Sequence, residues 1–165
     1  MSKIYFLGVS GQIQTQNNNN YDASSIARND VAELWNQATN ARNKGNRLLA
    51  ERLFEKCVEV EIPNRTPEDN AFRGMVLYNR SVNLLVHHGL SGSNVYPEAL
   101  WSEVRTIVDG WGEFIELYEA LPPGFATEFG SRVGFNAARA LNAASNDPLM
   151  GFKVMKLKDG TLVFG

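Results

Sequence analysis

Between Asn29 and Asn146, apolar residues recur every three or four positions, and Gly45, Pro63, Gly89 and the pair Pro122-Pro123 cut that recurrence into separate runs. A period near 3.6 makes amphipathic helices, and each such helix has a face that another element must cover. The rhythm predicts a mainly α protein with a core of about five antiparallel helices over residues 29–148. At 165 residues and 44% hydrophobic content, the chain can build one domain with its own core.

Local signals place the helices. Asp30 followed by Glu33 has the spacing of a capping box and predicts the first start, with Val31, Leu34, Trp35 and Ala38 on one stripe and Gly45 as the stop. Asn46 predicts the cap of a second helix whose apolar face is Leu49, Ala50, Leu53, Phe54, Cys57 and Val58, and the short link makes the two an antiparallel hairpin. Thr66-Pro67-Glu68-Asp69 supplies a hydroxyl cap, a proline in the first turn and two acids facing the helix dipole. This third helix is expected to reach about His88, burying Ala71, Met75, Tyr78, Val82 and Leu85, with Phe72, Val76 and Val86 beside them. A fourth opens at Pro97-Glu98 and carries Leu100, Val104, Ile107, Val108, Trp111, Phe114, Ile115 and Tyr118. Gly110 and Gly112 each cost about 1 kcal/mol against alanine in a helix interior, so a kink or break is expected there. A fifth helix is expected from about Thr127 to Ser145, with a face of mostly small residues.

The two ends read differently. Residues 1–28 form an arm: Lys3 to Val9 suits a short strand, and the Gln/Asn-rich stretch after it has almost nothing apolar to bury. Residues 149–165 alternate around Asp159-Gly160, the favoured two-residue turn of a β-hairpin. A lone two-stranded ribbon is marginal in water and unpaired edges seek partners. Ile4, Tyr5, Phe6 and Leu7 in the arm, with Phe152, Val154, Leu162 and Phe164 in the tail, are therefore the expected oligomerisation contacts.

Chemistry-bearing patterns are sparse. No glycine-rich phosphate loop, nucleophile elbow, zinc-site or kinase-type signature is present in the sequence. The only histidines, His87 and His88, are adjacent and point about 100° apart on a helix, which does not suit a shared metal and suits a helix C-terminus. Lone Cys57 sits on an apolar stripe as a small core residue. No catalytic residue, metal site or cofactor is assigned, and the chain is expected not to be an enzyme. Arginine outnumbers lysine ten to six, and Arg73 with Arg80, like Arg132 with Arg139, are spaced seven apart and would share a helical face. Such a face, with Asn83 (and with Asn79 and Asn136 nearby), suits phosphate backbones. The competing reading pairs these arginines with Asp69, Glu98, Glu103 or Glu128. The net charge of −2 argues against a strongly basic nucleic-acid binder.

Residues 31–63 resemble one tetratricopeptide unit. Gly45, Ala50, Phe54 and Cys57 stand where that pattern wants glycine, alanine, an aromatic and a small residue, and Pro63 and Trp35 are each one place off. Ala38 and Ala41 depart from it, and Tyr96, Pro97, Glu98 and Ala99 resemble the second half of such a unit. Ala50 to Ala99 spans 49 residues rather than one 34-residue repeat, so no regular array is formed. The resemblance implies an adaptor that holds a peptide or helix on its helical face. In layout alone, a helical core with terminal arms is similar to the coat subunits of flexible filamentous viruses. The leading expectation is a non-catalytic, self-associating coat-like or scaffold-like subunit: a homo-oligomer, with nucleic acid or a protein ligand as further partners and no membrane span. The single cysteine, and the lack of a secretory leader at the start of the sequence, set the expected location as cytoplasmic or within a virion.

Overall fold

A computed structural model of the protein describes residues 22–93 and 96–151 in full, and the backbone alone of 6–7, 13–14, 152–154, 156–158 and 161–163. The molecule is a mainly α bundle. Among the described residues six helices run in order: α1 (Ala23–Asn43), α2 (Arg47–Glu59), α3 (Pro67–His87), α4 (Trp101–Glu119), α5 (Phe125–Val133) and α6 (Ala137–Asn146). A 3-10 turn, Glu98–Leu100, leads into α4, and another, Pro148–Val154, follows α6. At the ends, the backbone of 6–7 runs antiparallel to 13–14, and that of 156–158 to 161–163.

α1 starts eight residues before the capping-box reading of Asp30 and Glu33 places it, because Asp22 takes the cap position and its side chain accepts the Ser25 N–H. Asp30 and Glu33 are interior positions of that helix. The predicted stops and caps at Gly45, Asn46 and Thr66 are all present. Gly45 has φ +83°, Asn46 accepts the Leu49 N–H, and Thr66 and Asp69 satisfy each other's backbone N–H reciprocally.

α3 is the central helix, packed against α2 on one side and α4 on the other. It consequently buries more than one stripe: Gly74, Leu77, Ser81 and Leu84 are covered as well as Ala71, Met75 and Leu85, while Tyr78 and Val82 are half-buried and Val86 is exposed. Trp35 of α1 lies between Phe54 of α2 and Phe72 of α3, with ring centroids 5.8 Å from each. On the other side, Phe114 and Tyr118 of α4 stack with Tyr78 and Phe135. Tyr118 Oη donates to the Ala71 carbonyl at 2.7 Å, tying α4 to α3.

The sequence reading placed a break at Gly110 and Gly112, but α4 runs unbroken from Trp101 to Glu119. Both glycines are buried, and a Cβ built at Gly110 would lie 2.5 Å from Ser81 Oγ. The missing side chain at Gly110 is what lets α3 and α4 approach, and packing outweighs its low helix propensity. The expected single helix from Thr127 to Ser145 is instead α5 and α6. Gly134 ends α5 in the left-handed region at φ +72°, and Asn136 caps α6 by accepting the Arg139 N–H.

Candidate interaction surface

The arginines singled out in the sequence lie mostly inside the bundle's own ion-pair network. Arg73 pairs with Glu113 of α4 and donates to the Val58 carbonyl at the end of α2. Arg80 pairs with Glu51 at 2.7 Å and Glu55 at 3.4 Å, both on α2. Both therefore reach α2, and Arg73 also bridges to α4 through Glu113. Arg132 pairs with Glu68 and with Glu128, one of its expected partners. Asp69, another expected partner, is taken by Arg28 in a bidentate contact with both distances 2.9 Å. Arg139 is exposed on α6, and the break at Gly134 separates it from Arg132, so these two share no continuous helical face.

Asn83 faces the interior rather than the surface. It is fully buried: its Oδ1 accepts from Arg47 and its Nδ2 donates to the Arg47 carbonyl. Asn79 likewise accepts from Arg42 and donates to the Met75 carbonyl, and Asn136 serves as a cap. The arrangement clamps α1, α2, α3 and α4 together, with Arg73, Arg80 and Arg132 held by acids of the same subunit. Ile4, Tyr5 and Phe164 lie outside the described residues, as do the side chains of Phe6, Leu7, Phe152, Val154 and Leu162.

Electrostatics follow from burial. Burial alone would raise the Asp69 carboxyl, but the hydrogen bonds from Arg28 and from Thr66 prevail and hold it below the usual carboxylate range. Burial pushes the Cys57 thiol up to about 12, offset only in part by Arg73, and its Sγ donates to the Val31 carbonyl. Cys57 is thus a core residue without thiolate character. A cleft of about 280 Å³ opens above it, floored by Val31, Cys57, Phe72 and Val76 and rimmed by Arg65 and Arg73. His87 and His88 sit edge to face at the end of α3. Among the described residues, no group of three His, Cys, Asp or Glu side chains converges as a metal site requires, and no helix is long and apolar enough to cross a membrane.

What remains open is the outer side of the α1–α2 hairpin. Leu48 and Leu49 are 59% and 44% exposed, although the 3–4 pattern placed Leu49 in the core with Ala50 and Phe54. The arc of α2 that faces α1 and α3 is occupied by Ala50, Phe54 and Cys57, which leaves Leu48 and Leu49 on either side of the outward arc, about 100° apart. Beside Leu49 a shallow groove runs between the helices, lined by Gln37, Asn40, Ala41, Lys44, Asn46 and Leu53. Arg52, Glu55, Lys56 and Glu59 continue the exposed side of α2. This surface was missed in the sequence, where the doublet Leu48-Leu49 was the available signal. Compared with known protein families, curated proteins and solved structures, the chain shows no match.

Proposed function

We propose that the chain is a non-catalytic, self-associating structural subunit that acts inside the cell or a virion. The observation that carries this reading is the exposed pair Leu48 and Leu49 on a helix whose inner arc is packed against α1 and α3. Adjacent leucines held in water gain about 25 cal/mol per Å² of apolar surface when a partner covers them. In this reading the N-terminal arm, with its strand, and the C-terminal hairpin are further connectors between copies, since short strand pairs offer open edges to neighbours. The internal pairing of Arg73, Arg80 and Arg132 supports protein rather than nucleic acid as the principal partner. The test is light scattering on the full chain and on a Leu48→Ser/Leu49→Ser variant. A wild-type assembly that the double variant disperses, with helical content unchanged, is the expected result. A monomeric wild type at all concentrations would overturn the reading.

A second reading is a tetratricopeptide-like adaptor, favoured by the amide-lined groove of Gln37, Asn40 and Asn46 beside Leu49 and Leu53. It predicts a monomer or dimer whose groove takes a peptide from another protein. In it, Gln37→Ala and Asn40→Ala would weaken peptide capture and leave the oligomeric state unchanged.

A further inference from the structure

The exposed side of α2 carries charges in an order that complements itself. Arg52 lies toward its N-terminal half and Glu59 at its end, seven residues apart and so about 10 Å apart along one face. Glu55 and Lys56 lie between them. Arg52, Lys56 and Glu59 are exposed and make no ion pair within the subunit among the described residues, while Glu55 touches Arg80 and keeps its side chain 53% exposed. Set parallel to a copy of itself, this face would put arginine against arginine and glutamate against glutamate. Set antiparallel, it puts each positive end against a negative one.

We propose that α2 pairs with α2 of a second copy, antiparallel about a two-fold axis passing between Glu55 and Lys56. The proposal rests on the self-association reading and names its geometry. In that register Arg52 of each copy meets Glu59 of the other, and Lys56 meets Glu55, so one face supplies four ion pairs by symmetry. Leu48 and Leu49 of each copy then reach the segment where the other chain leaves α2, at Ile62 and Pro63. The leucines at the two ends provide the apolar burial, and the charges fix orientation and register rather than most of the affinity. α2 is the element suited to this, because its principal contacts are with α1 and α3 and Arg52, Glu55, Lys56 and Glu59 on its outer side are exposed.

The experiment is sedimentation velocity on the full chain across a dilution series, for wild type, Arg52→Glu, Glu59→Arg and the double variant, with helical content checked by circular dichroism. Positions 52 and 59 are too far apart to interact within one helix, so any compensation must come from between copies. Each single variant creates like-charge contacts twice per dimer and is expected to weaken association at least tenfold. The double variant is expected to restore it to within about threefold of wild type, since exposed pairs of reversed sign are nearly equivalent. Self-association that the single variants leave untouched, or that the double variant fails to recover, overturns this interface while the self-association reading stands. A wild type that never associates overturns both.

Discussion

Replacing Gly110 by alanine separates two physical effects that a sequence cannot weigh. In the interior of a helix the change alone should stabilise by about 1 kcal/mol through helix propensity. Here the new Cβ would lie 2.5 Å from Ser81 Oγ and 3.4 Å from the Leu77 carbonyl oxygen. Ser81 is 1% exposed and donates to the Ile107 carbonyl at 2.9 Å, so its hydroxyl has nowhere costless to turn. Overpacking of this kind costs about 1 to 3 kcal/mol, and breaking the hydrogen bond about 1 more. Gly110→Ala is therefore expected to lose about 1 to 3 kcal/mol net. Ser81→Ala alone loses the hydrogen bond, about 1 kcal/mol. In the double variant the nearest atoms to the new methyl are the Leu77 carbonyl oxygen at 3.4 Å and the residue 81 Cβ at 3.9 Å, both ordinary contacts. It should then lie within about 0.5 kcal/mol of wild type, a favourable coupling of at least 1 kcal/mol. Urea unfolding followed at 222 nm on the four proteins of the cycle gives the coupling directly. A stabilised Gly110→Ala protein, or strict additivity of the two changes, would refute the claim that Gly110 exists to seat α3 against α4.

Two further expectations concern the interior. Cys57 should react with iodoacetamide at pH 8 about a thousandfold more slowly in the folded protein than in urea, given a thiol pushed up to about 12 and a 4% exposed side chain; native labelling at the rate of a free thiol would contradict its placement. Asp69 ionises at lower pH when folded than when unfolded, so its pairing with Arg28 contributes fully above about pH 4 and is lost as the pH falls through the lower native value. Arg28→Gln should cost about 2 to 4 kcal/mol at pH 7 and should flatten the loss of stability between pH 5 and pH 2, about the range in which native and unfolded carboxylates titrate; parallel stability curves for variant and wild type would count against this.

The sequence by itself determined the helical class, because period and punctuation are local. Thr66-Pro67, Gly45 and Asn46 act through their own backbone neighbours, and each is found doing what its residue type allows. Gly134 and Asn136 carried the same kind of signal for the break between α5 and α6, and the run of small residues after them masked it. The first start was misplaced for a related reason. Asp30 and Asp22 are equally good caps, and residues 23–29 join α1 because Ala27 and Val31 are covered and Arg28 reaches Asp69 on α3.

Tertiary structure decided everything that depends on partners distant in the chain. Arg28, Arg73 and Arg80 meet acids 41, 40 and 29 residues away, and no spacing rule along one helix distinguishes such a clamp from a phosphate-binding face. Gly110 looked like a break because propensity is a property of the residue, whereas the close seat it makes for Ser81 is a property of two helices. The exposed face of α2 was hidden for the same reason. Which of Leu48, Leu49 and Ala50 turns inward is set by where α1 and α3 lie, and the residues left outside are known only once those neighbours are in place.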